Sequence, residues 1–249
     1  LKNRGSSPFE STVFRIRLVV GQSFLGRFTV VQLHDPKLMK IVCISDSHHN
    51  HEKIEIPEAD VLIVAGDFTR FQNPRIQDYT EFNEWLGRQP VKHKVVVAGN
   101  HDTLFQINPT LARSILTNAT YLEDSECVID GVRFWGSPWI SPIGQWAFML
   151  DDEQRAAKWD LISPETDVLI THSPPATILD ECGEKWNKER IGCDSLFKRV
   201  FVVKPRLHIF GHCHESYGQG EVIPGVWSVN AAQSDEYNVL KNKPIVVEI

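Results

Sequence analysis

Histidine and carboxylate side chains stand at five places in this sequence where an apolar run has just ended. Asp46 and His48 follow Ile41-Val42-Cys43-Ile44, Asp67 follows Val61-Leu62-Ile63-Val64-Ala65, and Asn100, His101 and Asp102 follow Val95-Val96-Val97-Ala98. His172 follows Val168-Leu169-Ile170-Thr171, and His212 and His214 follow Leu207-His208-Ile209-Phe210. Taken singly, an Asn-His-Asp triplet after a strand is a turn, because Asn and Asp side chains bond their own backbone. Recurrence at five strand ends calls for another account. Imidazole with carboxylate and amide oxygen is the donor set of zinc, iron, manganese or cobalt, whereas oxygen-only sets suit magnesium and calcium. If all five ends open on one cleft, they build a transition-metal site.

The elements that must position these residues alternate. Buried parallel strands read as short continuous apolar runs, and in open α/β sheets ligands bind just beyond the carboxyl ends of strands. Strands are predicted over 41–45, 61–65, 94–98, 167–171 and 206–210, with 225–230 and 244–249 closing the sheets. A helix is predicted over 78–86, capped by Asp78, with Phe82, Trp85 and Leu86 on one face. Asn108-Pro109 predicts a cap and first turn for a helix to 116, since proline lacks only an amide hydrogen that would be unpaired there. Further helices are predicted over 152–161 and over 194–203, the latter closed by Pro205. Asp130-Gly131 between apolar runs predicts an antiparallel hairpin over 127–135. Residues 137–149, rich in aromatics and turn formers, read as a long loop that either stacks a base or fills a surface gap. His49 and His51 are expected on a solvated loop, Arg70 as a solvated side chain, and Cys213 pointing away from its histidine neighbours.

Composition narrows the class. The chain has 249 residues, 42% hydrophobic and 23% charged, as in an ordinary globular protein able to bury a core. With 26 basic and 32 acidic side chains its net charge is −6, which excludes a surface built to grip a phosphate backbone. The five cysteines never form a C-x-x-C pair, so neither a disulfide framework nor a thiolate zinc site is expected, and a reducing, cytoplasmic setting fits best. No apolar run approaches the roughly 18 residues of a membrane-spanning helix. Residues 1–38, with Arg4, Arg15, Arg17 and Arg27 and no clean periodicity, are expected to be an N-terminal extension to a domain at 39–249. The Arg/Ser content of that segment has a mitochondrial transit peptide as its alternative reading, against which Glu10 and Asp35 count.

Asp46-x-His48, Gly66-Asp67, Gly99-Asn100-His101-Asp102, Thr171-His172 and Gly211-His212-x-His214, in that order, resemble the five motifs of the calcineurin-like metallophosphoesterases. The resemblance runs from 40 to 249. Gly66-Asp67-Phe68-Thr69, Phe82-Asn83-Glu84-Trp85-Leu86-Gly87, Tyr121-Leu122-Glu123-Asp124-Ser125 and His214-Glu215-Ser216-Tyr217-Gly218 are similar to the brain-type metallophosphoesterase-domain proteins, a branch associated with hydrolysis of cyclic nucleotides and other phosphodiesters. The resemblance implies a four-layer α-β-β-α sandwich, two mixed sheets flanked by helices. It implies two divalent transition-metal ions, one held by Asp46, His48, Asp67 and His214, the other by Asp67, Asn100, His172 and His212, with Asp67 as the bridge. A metal-bridging hydroxide would attack phosphorus in line, His101 would protonate the leaving alkoxide, and Asp102 would orient the His101 ring. The implied partner is a small phosphodiester, with no nucleic acid and no membrane.

Two other functions compete. A phosphomonoesterase or protein phosphatase would share the metals, but Gly66-Asp67-Phe68-Thr69-Arg70 lacks the Gly-Asp-x-Val-Asp-Arg-Gly text of the protein phosphatases. A non-catalytic scaffold binding a phosphorylated ligand would be expected to have gaps in the ligand set, and here each motif position is filled.

Overall fold

The alternation of apolar runs with amphipathic stretches folds as two sheets with helices on their outer faces. The computed structural model describes residues 38–70, 74–184 and 187–249. The expected N-terminal extension, Leu38 apart, therefore lies outside the described residues. One sheet has five strands in the order β11-β1-β2-β3-β4, where β1 is Lys40–Ile44, β2 Val61–Ala65, β3 His93–Val97, β4 Thr120–Tyr121 and β11 Ile245–Glu248. The other has six in the order β5-β6-β7-β8-β10-β9, where β5 is Ser125–Ile129, β6 Val132–Ser137, β7 Val168–Thr171, β8 Leu207–Phe210, β9 Gly218–Ile223 and β10 Val226–Asn230. In the first sheet β1, β2, β3 and β4 are parallel and β11 is antiparallel; in the second β6, β7, β8 and β10 are parallel and β5 and β9 antiparallel. Both sheets are mixed, as the resemblance implied.

Alternate side chains of each strand divide between two cores, as the strand's two-residue period requires. Ile41, Cys43, Ile63, Ala65, Val95 and Val97 face Phe134, Val168, Ile170, Leu207, Ile209 and Val229 across the gap between the sheets. The other faces are covered by helices. Val42, Ile44, Leu62, Val64 and Val96 pack under α1 (Ile76–Arg88), α2 (Leu104–Ile107) and α3 (Pro109–Ile115), and Trp135, Leu169 and Phe210 pack under α4 (Asp152–Trp159) and α5 (Asp194–Val203). The result is four layers, α-β-β-α. Truncating one fully buried aliphatic in such a core costs about 2–5 kcal/mol.

Local chemistry sets the boundaries. Asn108 caps α3 by accepting from the Leu111 amide at 3.2 Å, with Pro109 in the first turn. Asp151 and Gln154 form a capping box on α4. Lys204 takes a left-handed conformation at the end of α5, and Pro205 follows. At the hairpin between β5 and β6, Asp130 and Gly131 both have positive φ, as a two-residue turn of this hand needs. Two expectations need correction. α1 begins at Ile76, so Asp78 is not its cap but a buried residue of its first turn, paired with Arg75 at 3.7 Å and favourably placed on the helix dipole. His51 is not solvated: it sits in a short 3-10 turn, 1% exposed, with its ring against Phe82 and Trp85 of α1.

That burial pulls the His51 imidazole down to about 4, so the folded chain holds it neutral. The unfolded chain takes up this proton near about 6.5, so His51 costs stability as pH falls from about 6.5 towards 4, and no further below. His51→Phe is expected to flatten that part of the acid limb. Urea melts at pH 7.5 and pH 4.5 measure it; an unchanged difference between the two would contradict the assignment.

Candidate metal centre

Three of the strand-end turns bring their ligands inward through strained backbone. Asp46, His48, Asp67 and His212 all have positive φ, between 42° and 68°. Side chains seldom adopt that region, and each such residue costs on the order of 1–3 kcal/mol, which native structures concentrate at functional sites. The glycines between strand and ligand are fixed by close approach. A Cβ on Gly211 would lie 2.1 Å from both Asp46 Oδ2 and Ser45 Oγ, and one on Gly66, whose φ is +101°, would lie 2.4 Å from His172 Nδ1.

Both sheets supply these turns at the same edge. β1, β2 and β3 deliver Asp46, His48, Asp67 and Asn100 side by side, and β7 and β8 deliver His172, His212 and His214 opposite them. Hydrogen bonds hold this edge shut: between the sheets the Ser45 amide donates to Ala231 O at 2.9 Å, and within the first sheet Ser45 Oγ donates to Ala65 O at 3.0 Å. The Gly211 amide donates to His172 O at 3.1 Å, joining the β7 and β8 turns.

Backbone carbonyls then fix which imidazole nitrogen faces the cleft. His172 Nδ1–H donates to Ala65 O at 2.8 Å and His214 Nδ1–H to Asp235 O at 2.7 Å, so both rings present Nε2. His172 Nε2 stands 3.1 Å from Asn100 Oδ1 and 3.5 Å from Asp67 Oδ2. His214 Nε2 stands 3.1 Å from His48 Nε2 and 3.3 Å from Asp46 Oδ1, a buried oxygen without a hydrogen-bond partner. At these distances each pair needs a proton or a metal cation between its two atoms. The ligand atoms fall into two groups, Asp46 with His48 and His214, and Asp67 with His172 and His212, each within 4.8 Å; a third group of His48, Asp67 and His101 links them. The buried unpaired oxygen and the mixed nitrogen and oxygen donors fit divalent transition ions.

The charges of the cleft are strongly coupled. Burial would raise Asp46, but the His214 imidazole 3.3 Å away outweighs it and holds the carboxyl at about 2. Asp67, likewise opposed by burial, is held well below the carboxylate range by His172. Burial would lower His172 and His214; the Asp67 charge for one and the Asp46 contact for the other lift both to about 9. In the absence of metal, protons fill the gaps. His48 and His212 are pushed down to about 3 by burial, so they stay neutral and able to ligate.

The third strand turn divides its residues differently from expectation. Asn100 faces His172. His101 lies beside the two groups, with its amide donating to Asp67 Oδ1 at 2.8 Å and its Nε2 3.9 Å from Asp67 Oδ2. Asp102 does not orient the His101 ring. Its carboxylate is consumed by the amides of Gly99 (2.7 Å), Asp67 (2.8 Å) and Thr69 (2.9 Å) and by the Thr69 hydroxyl (2.9 Å), and the ring is oriented by Nδ1–H donating to Arg70 O at 2.9 Å. Burial and the Asp67 charge push Asp102 up to about 7. Arg70 thus serves through its carbonyl, while its side chain is exposed. Cys213 is buried away from the cleft, with Sγ donating to Asp180 O at 3.3 Å. Sequence reasoning missed Ala65, Arg70 and Asp235, because they act through backbone oxygen, which carries no side-chain signature.

A family model described as calcineurin-like phosphoesterase matches residues 39–216. The UPF0046 protein K07C11.7 of Caenorhabditis elegans is 36% identical over 252 residues, spanning 94% of this chain and 83% of that protein. Metallophosphoesterase domain-containing protein 1 of Homo sapiens is 38% identical over 240 residues, spanning 86% of this chain and 72% of that one. Among solved structures, TT1561 of Thermus thermophilus shares the fold with a TM-score of 0.57 at 14% identity, over 80% of this chain and 90% of that one.

Metal loading at pH 7 must displace the protons on His172 and His214, so apparent affinity should weaken as pH falls below about 9. Calorimetric titration of the metal-free protein in buffers of different ionisation enthalpy should show release of about two protons per chain; none released would remove the Nε2 assignment. Asp102→Ala, which strands three buried amides, should cost at least about 3 kcal/mol in denaturant unfolding, against about 1 kcal/mol for Thr69→Ala. Equal small losses would mean that Asp102 does not hold the turns.

Proposed function

This chain belongs to the calcineurin-like phosphoesterase family, and on that premise we propose that it is a dimetal-dependent phosphodiesterase acting on small diesters, cyclic nucleotides among them. The observation that carries this reading is the convergence of buried imidazole nitrogens and carboxylate oxygens in two groups linked at Asp67, where two cations would fit. Asp46, His48, Asp67 and His214 would hold one ion, and Asp67, Asn100, His172 and His212 the other. Bound divalent ions supply Lewis acidity towards phosphoryl oxygens and lower the pKa of a coordinated water.

The remaining chemistry falls to the protein. With Nδ1–H of His101 committed to Arg70 O, Nε2 is the vertex from which a proton can pass to the leaving alkoxide. Asn100 supplies an uncharged donor, which keeps the pocket more positive than a third carboxylate would. Among the described residues, the hydrogen bonds and ion pairs of the site's side chains run to each other and to backbone or Thr69, not to Lys or Arg. A monoanionic diester needs less positive charge than a dianionic monoester, which favours the diesterase over the phosphatase. The net charge of −6 supports a small substrate rather than a nucleic-acid strand. All five cysteines are free, which supports a reducing setting such as the cytoplasm.

Elemental analysis should find about two transition-metal ions per chain, and a substrate screen should rank aryl and cyclic diesters above aryl monoesters. His101→Ala should slow esters with alkyl leaving groups by about 10²-fold or more, and activated aryl esters far less. Equal slowing of both would remove the general-acid role. Two bound metals with no turnover of any ester would leave the binding scaffold as the function.

A further inference from the structure

The loop of residues 138–150 is anchored at several points where it meets the site. Its ends are bridged, with Ile140 paired to Met149, the Ile140 amide donating to Phe148 O at 2.9 Å and the Leu150 amide to Ile140 O at 3.2 Å. Phe148 is fully buried in the core under α2 and α3, and its amide donates to Gln106 Oε1 at 3.0 Å. Between these anchors the Ala147 amide donates to Asn100 O at 3.2 Å, tying the loop to the turn that carries His101. The residue so presented is Trp146, whose ring lies on the His101 ring at 4.2 Å between centroids and 33° between planes.

His101 is thereby held on every side but one. Its Nδ1–H donates to Arg70 O, the His48 ring meets it edge-on at 4.6 Å, and Trp146 covers a face. The Nε2 vertex remains, 3.9 Å from Asp67 Oδ2. His101 keeps 14% of its side chain exposed, and the indole covers the face on which Trp146 packs. General acid catalysis depends on the donor meeting the leaving oxygen within hydrogen-bond reach, and small losses of alignment are expensive. We propose that Trp146 is a positioning residue that holds His101 in the orientation from which it protonates the leaving group. This inference rests on the reading of His101 as the general acid.

The test is a leaving-group series of methyl aryl phosphodiesters, from p-nitrophenyl to phenyl, with the wild type, His101→Ala, Trp146→Ala and Trp146→Phe. Misplacing the acid should lower kcat about tenfold for the phenyl ester, leave the p-nitrophenyl ester within about threefold, and move KM little. Trp146→Phe, which keeps an aromatic face, should restore most of the loss. In the zinc-loaded protein, the Nδ1–H proton of His101, donated to Arg70 O, should exchange slowly with solvent in the wild type and in Trp146→Phe, and faster in Trp146→Ala. If Trp146→Ala slows the whole series equally, or raises KM alone, while His101→Ala keeps its steep dependence, the positioning role is wrong and the general-acid reading stands. A flat series for His101→Ala would overturn both.

Discussion

The Nδ1–H groups of His172 and His214 are consumed by the carbonyls of Ala65 and Asp235, and this leaves the two Nε2 atoms aimed at amide and carboxylate oxygens. The remaining site follows from that constraint. Ala65 ends β2 in one sheet, whereas His172 follows β7 in the other, so the orientation of the His172 ring is set across the gap between the sheets. Face-to-face sheets keep a separation of about 10 Å that their interdigitated side chains decide. The core of Ile63, Val95, Val168 and Ile209 therefore has a second consequence beyond stability: it sets the depth at which the histidine nitrogen meets the carboxylate.

Close packing at this edge also explains its backbone strain. For Asp46 Oδ2 to accept the His212 amide at 3.0 Å, the β1 and β8 turns must touch, and only glycine at 211 leaves room. The positive φ of Asp46, Asp67 and His212 turns each side chain back into the cleft within a residue or two of its strand. Each carries a cost that a single turn would not sustain. Strands buried on both faces hold the turns in place from behind, as the fully buried β2, β7 and β8 show.

The same physics separates what was legible in the sequence from what was not. Strands buried on both faces are continuous apolar runs, so β1, β2, β3, β7 and β8 could be read directly, as could the Asn108-Pro109 cap and the Asp130-Gly131 turn. β9 begins Gly218-Gln219-Gly220-Glu221 and has a mostly exposed face, so it carries no such run and was missed. His51 illustrates a different failure. Its neighbours Asn50 and Glu52 suggest solvent, and only the tertiary approach of Phe82 and Trp85 buries it. Side-chain donors announce themselves by residue type, whereas the carbonyls of Ala65, Arg70 and Asp235 do not. Trp146 was visible only as one aromatic in an aromatic loop, because its partner His101 is 45 residues away, and its position depends on the Ala147 amide finding Asn100 O.

Asp102 shows how far a role can survive a wrong contact. Its expected bond to the His101 ring does not form, yet its carboxylate ties the β2 turn at Asp67 and Thr69 to the β3 turn at Gly99. Asp67 in turn accepts the His101 amide through Oδ1, leaving Oδ2 among the imidazoles. The backbone of His101 is thus registered on the residue that links the two ligand groups, while its ring is registered on Arg70 O and Trp146. If the two turns slipped relative to each other, Asp67 Oδ2 and His101 Nε2 would move apart together. Asp102 prevents that slip without touching the pocket, so the His101 ring and the Asp67 carboxylate keep a common frame.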